Sequence, residues 1–155
     1  MTALDRLYQE MILEHNRKPR NFKVLEKPTH ISHGVNPLCG DDYYIFLTVE
    51  DGIIKDVGFK GVGCAISKSS ASMMSTMIKN KPVKDVMEMK ECFISRLTRE
   101  TETPECDTIL GNLTIFEGVK AFPVRVKCAT LIWRALEDAI LHQKKPKEDR
   151  VVTTE

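Results

Sequence analysis

A change of hydropathy period near residue 64 constrains the fold of this chain more than any other feature. Tyr43 to Val49 alternates, with Tyr43, Ile45, Leu47 and Val49 on one face. Asp51-Gly52 follows, the strongest short signal for a two-residue hairpin turn. Ile53 to Lys60 then carries Ile53, Val57 and Phe59 on one side. Two antiparallel strands are predicted here, with a third short strand near residues 62 to 64. From Ala65 the apolar residues recur at helical spacing instead, through Ile66, Met73, Met74, Met77 and Ile78. Pro82 opens a second helix, with Val83, Val86, Phe93 and Leu97 on one side. Pro123 opens the strongest helix, with an unbroken stripe of Cys128, Leu131, Ile132, Ala135, Leu136, Ala139 and Ile140. A hairpin first and helices after predicts an α+β fold, a small antiparallel sheet with helices packed on one face.

The flanking segments complete the plan. Thr2 with Asp5 forms a capping box ahead of a helix that ends near Asn16. Residues 22 to 36 show no clear period and read as an ordered connection. Ser69, Ser70, Ala71 and Ser72 are small residues that let a neighbouring backbone approach their helix. Residues 98 to 107 read as a polar loop and 108 to 121 as helical. The stretch 143 to 155 is polar and charged, the composition of a frayed end. One domain is expected over residues 1–143, followed by a charged, flexible tail over 144–155.

Composition narrows the function class. The 23 basic and 22 acidic residues leave a net charge of +1, so no overall field draws the chain to nucleic acid or an anionic membrane. No apolar run reaches membrane-spanning length and no signal-peptide core follows Met1. A soluble cytoplasmic protein is expected. The cysteine count of 5 is odd, which fits free or metal-bound thiolates in a reducing compartment better than a disulfide framework. There is no C-x-x-C pair.

The chemistry concentrates in four residues: Cys39, Asp41, Cys64 and Cys128. Their segments are NPLCGDD, GVGCAIS and FPVRVKCATL, each with glycine or proline shaping the backbone beside the thiol. Cys39 lies in a Pro-x-Cys-Gly turn, and a turn thiol is exposed enough to act as a nucleophile. Cys64 lies where strand gives way to helix, and first-turn N–H groups favour its thiolate. Cys128 begins the buried stripe of the last helix, with Arg125 and Lys127 beside it to lower a thiol pKa or offset negative charge. Three thiolates and a carboxylate are a plausible zinc set if they meet in space. The carboxylate matches a soft metal less well than a thiolate, which leaves one position exchangeable. Cys92 and Cys106 read as ordinary thiols, His30 and His33 as surface histidines, and Met73, Met74 and Met77 as core.

Four ordered motifs resemble a known family. HNRKPRN (15–21), NPLCGD (36–41), the G-x-G-C-A-I-S-x-S-x-S-x-M segment (61–73) and P-V-R-V-K-C-A (123–129) are similar to the IscU/SufU iron–sulfur cluster assembly proteins. Lys127 stands where the scaffold branch has histidine, and the interval of 64 positions from Cys64 to Cys128 (128 − 64) is longer than in that branch. Both departures resemble the SufU branch. That resemblance implies Zn²⁺ held by Cys39, Asp41, Cys64 and Cys128, with Cys39 as acceptor of persulfide sulfur. It implies a PLP-dependent cysteine desulfurase as donor and iron–sulfur scaffold proteins downstream, in a sulfur-transfer partner rather than a stand-alone enzyme. The alternative it carries is a scaffold holding iron or a [2Fe–2S] cluster on the same residues.

Overall fold

The computed structural model describes residues 2–99, 104–142 and 151–154. Its elements run α1 (Ala3–Arg17), β1 (His30–Asn36), β2 (Asp41–Glu50), β3 (Ile53–Val62), α2 (Ala65–Ile78), α3 (Val83–Thr98) and α4 (Pro104–Leu110). A 3-10 helix (Gly111–Val119), α5 (Pro123–Leu141) and β4 (Val151–Thr153) follow. The sheet order is β3-β2-β1-β4, antiparallel except for the parallel β1–β4 pair. α5 lies on β1 and β2, α2 lies on β3, and α1 packs on α2 and α3 on α5. Among the described residues no helix is long and apolar enough to cross a membrane.

The predicted elements form for the reasons read from the sequence. Thr2 and Asp5 exchange the two hydrogen bonds of a capping box. Pro123 occupies the first turn of α5, where its missing N–H costs nothing. The serine stretch of α2 does admit close neighbours. Ser70 Oγ donates to the Ala129 carbonyl at 2.6 Å and accepts from Trp133 Nε1 at 3.2 Å, which joins α2 to α5. On the other side, Ser72 Oγ accepts from the Arg20 N–H at 2.8 Å and lies 2.7 Å from His15 Nδ1. Asn21 Nδ2 donates to Ser75 Oγ at 2.9 Å. The HNRKPRN segment is therefore a polar seam holding α1 and its turn to α2.

Four expectations are corrected. The third strand is not near residues 62 to 64; it is β1, upstream of the hairpin and inside the stretch read as a connection. Its inward positions are Ser32, Gly34 and Asn36, while Ile31 and Val35 are only half-buried. The alternation is present but carried by small and polar residues, so hydropathy could not show it. Gly34 is small because a Cβ there would sit 3.1 Å from Leu131 and 3.3 Å from Ala135 of α5. In β3, Ile54 rather than Ile53 is buried, because a register shift near Thr48/Val49 leaves Lys55 unpaired and reverses the phase. The loop expected over 98 to 107 gives way to α4 from Pro104. The free end expected over 144–155 does not include Val151–Thr153, which pairs with His33–Val35; residues 143–150 lie outside the described residues.

Cys92 and Cys106 are also corrected, since they are joined in a disulfide with Cα atoms 5.3 Å apart. The bond fixes the start of α4 to α3. Arg96, one turn further along α3, pairs with Asp107 and with Glu117 of the 3-10 helix across the same seam. A cross-link closing a loop of this size constrains the unfolded chain by about 3 kcal/mol. Reduction, or Cys92→Ala with Cys106→Ala, is therefore expected to lower Tm by roughly 6–12 °C in calorimetry. An unchanged Tm would show that the seam is held by Arg96 and apolar packing alone.

Candidate metal centre

Three chain junctions meet at one end of the α2–α5 pair. The β1–β2 turn supplies Cys39 and Asp41. Asn36 ends β1, pairs with Asp41 across the ladder, and accepts the Cys39 N–H at 3.2 Å, closing the turn. Gly40 has φ of +71°, a left-handed conformation that suits glycine, and it turns Cys39 outward. The β3–α2 junction supplies Cys64 as the N-cap of α2, its sulfur accepting the Ser67 N–H at 3.4 Å. The second turn of α5 supplies Cys128, which is buried.

Cys39 Sγ, a carboxylate oxygen of Asp41 and Cys128 Sγ lie within 4.8 Å of one another. The Cys64 sulfur is not in that group. Its residue joins through the backbone instead, donating its N–H to Asp41 Oδ1 at 2.9 Å. Asp41 is fully buried and also receives Asn36 Nδ2 at 3.3 Å and Ser67 Oγ at 3.0 Å. Tyr43 OH lies 3.1 Å from Ser67 Oγ. Burial holds the Tyr43 hydroxyl above its usual range, which keeps it protonated. Hydrogen bonds thus link Tyr43 through Ser67 to Asp41.

The electrostatics of this cluster are negative and buried. Burial pushes the Cys128 thiol up, and hydrogen bonds with Asp41 and Cys39, together with the charges of Cys64 and Asp41, push it further. A divalent cation would reverse each of those effects, since it favours the thiolate. Asn36 Oδ1 is buried without a hydrogen-bond partner, although its Nδ2 reaches Asp41 and Cys128 Sγ at 3.5 Å. A tetrahedral zinc ion with bonds of ~2.3 Å to sulfur holds its donors roughly 3.7 Å apart, within the span these atoms occupy. Thiols, a carboxylate and an orphaned acceptor are a donor set that zinc fits.

Gly63 shows how tightly the cluster is built. A Cβ there would lie 2.4 Å from Ser67 Oγ, 2.5 Å from Tyr43 OH and 2.7 Å from Asp41 Oδ1. Asn36, Tyr43, Gly63 and Ser67 were not read as site residues from the sequence. All four lie within three residues of a site residue, which is the signal that could have found them. Arg125 and Lys127, expected beside the thiols, face other surroundings. Arg125 lies over the Phe122 ring at 4.8 Å and lines a cavity between α1 and the 3-10 helix. Lys127 lines a separate cavity beside β4. His33 bonds to Asp42 at 2.6 Å and stacks on Tyr44.

The model of the NifU-like N terminal domain family matches residues 7–129. The zinc-dependent sulfurtransferase SufU of Bacillus subtilis is 36% identical over 141 residues, covering 91% of this chain and 94% of the relative. The iron–sulfur cluster assembly scaffold protein IscU of Thermotoga maritima is 34% identical over 140 residues, covering 90% and 96%. A crystal structure of a proposed iron–sulfur cluster assembly scaffold for the SUF system, from Fervidobacterium islandicum AW-1, superposes with a TM-score of 0.80. Its sequence is 30% identical, and the match covers 87% of this chain and 97% of that one.

Proposed function

The chain belongs to the family of NifU-like N-terminal domains, and from that premise we propose that it is a zinc-dependent sulfur acceptor in iron–sulfur cluster assembly. Cys39, Asp41, Cys64 and Cys128 are assigned as the ligands. When bound, zinc supplies a redox-inert Lewis acid that keeps these thiols deprotonated at neutral pH. The observation that carries the reading is the placement of Cys39, an exposed thiol on a turn with Asp41 and buried Cys128 within 4.8 Å.

Cys39 is the residue that meets the donor. Its thiolate attacks the outer sulfur of a persulfide on a PLP-dependent cysteine desulfurase. The donor S–S bond breaks, its electron pair leaves on the desulfurase cysteine, and a persulfide forms on Cys39. No net oxidant or reductant is needed. Asp41 is held by three donors and Cys128 by burial, so both keep their places while Cys39 moves. Leu38, Val62, Phe122 and Val124 are exposed apolar side chains on the segments that carry the three thiols, and they support docking of a partner there. The sulfur then passes to an iron–sulfur scaffold downstream.

The alternative is a scaffold that itself carries a [2Fe–2S] cluster, the activity named for the Thermotoga relative. Lys127 disfavours it, since an ammonium is a poor iron ligand and the side chain lines another cavity. Protein purified without oxygen is expected to be colourless, to hold one zinc, and to raise desulfurase turnover. A brown sample with iron and sulfide in equal amounts would favour the scaffold.

A further inference from the structure

Lys127 and Cys128 are consecutive on α5, so their side chains diverge by about 100°. Cys128 faces the thiol site, and Lys127 lines a cavity of about 570 Å³ bounded by α3, the end of the 3-10 helix, α5 and β4. Lys120 and Arg134 line it as well, with the hydroxyl-bearing Thr130 and Thr154. We propose that this cavity binds a small organic dianion, a phosphate monoester or a dicarboxylate, independently of the sulfur chemistry proposed above.

Charge is the first argument. Lys120 and Lys127 are both half-buried. Among the described residues neither forms an ion pair, and no carboxylate lines the cavity. Arg134 also acts on Glu91, so among the described residues the two lysines are the pair without a counter-charge. Partly desolvated cations without a counter-charge are costly, and an anion removes that cost. The second argument is Thr154, whose Oγ1 is buried without a hydrogen-bond partner. It is a spare donor at the wall the lysines share. The third is the apolar part of the lining, Leu97 of α3 with Pro123 and Val126 of α5, beside the further hydroxyls of Thr98 and Thr153. A few convergent polar groups in an apolar cavity suit a ligand with a carbon body better than a bare ion.

Glycerol 3-phosphate and succinate serve as probes, because neither strips a thiolate-bound metal. Titration of the full chain, followed by amide NMR, is expected to give saturable shifts at Lys127, Thr130 and Thr154 with at least one of them. Loss of one charge-assisted hydrogen bond weakens binding roughly tenfold or more, so Lys120→Gln and Lys127→Gln are each expected to do so. Lys84→Gln, outside the cavity, is expected to bind like the parent. Phosphate-only or succinate-only binding identifies the ligand class. Shifts that do not saturate, shifts confined to other residues, or a Lys127→Gln variant that binds as tightly as the parent would overturn the proposal. The shift map of the unmodified chain decides the matter even if a variant misfolds.

Discussion

Cys39→Ala is expected to abolish sulfur acceptance, lowering the stimulation of a cysteine desulfurase by roughly two orders of magnitude or more, as loss of a nucleophile does. The side chain is exposed and its turn is closed by backbone atoms, the Cys39 N–H on the Asn36 carbonyl. The fold therefore does not depend on the sulfur. Unfolding curves of the variant are expected to overlay those of the parent once both are stripped of metal. The direct measurement is mass spectrometry after incubation with the desulfurase and L-cysteine. The peptide with Cys39 should gain one sulfur, and the alanine variant should gain none anywhere. Full stimulation by the variant would remove Cys39 from the mechanism. Added sulfur on the peptide of Cys64 or Cys128 would move the acceptor to that residue.

The second large effect is expected at Asp41, and its neighbour Asp42 is the control. Asp41 is fully buried and receives the Cys64 N–H, Asn36 Nδ2 and Ser67 Oγ. Alanine there strands buried donors, each costing about 1–3 kcal/mol. Ser67 can turn to the Cys64 carbonyl at 3.1 Å, so the sum is about 3–5 kcal/mol. That corresponds to a fall in Tm of roughly 6–20 °C, together with loss of bound metal. Asp42→Ala breaks only a half-exposed pair with His33 and is expected to cost under about 1 kcal/mol, with metal content unchanged. Calorimetry and metal analysis on both variants check this. Equal behaviour of the two would mean that Asp41 is not the organising centre of the site.

The interface between α2 and α5 was partly legible before the structure. Ser69 to Ser72 announced a close backbone neighbour, though not that the neighbour would be Ala129 or that Trp133 would cap Ser70. The strand β1 was illegible for a definite reason. Its core-facing side is Ser32, Gly34 and Asn36, residues chosen for fit against α5 and for the site rather than for hydrophobicity. The Cys92–Cys106 bond was likewise hidden, because it depends on how α4 folds back on α3.

Local rules settled much of this protein without help from distant contacts. The Asp51-Gly52 turn, the alternation on either side of it, the capping box and the proline-led helices are decided by neighbouring residues, and neighbouring residues are what a sequence displays. The glycine and proline beside each thiol marked where chemistry could be presented. Tertiary structure alone decided which of those segments meet. Cys39 and Cys128 come together with Asp41, and the Cys64 N–H reaches that carboxylate, because α2 and α5 pack through Ser70 and end at the same place as the β1–β2 turn. The same packing turned Lys127 into a different cavity from its neighbour Cys128, buried Asp41 at the centre of three donors, and left Cys39 on the surface. Burial and convergence of this kind arise from contacts between segments far apart in the chain, and no local pattern encodes them.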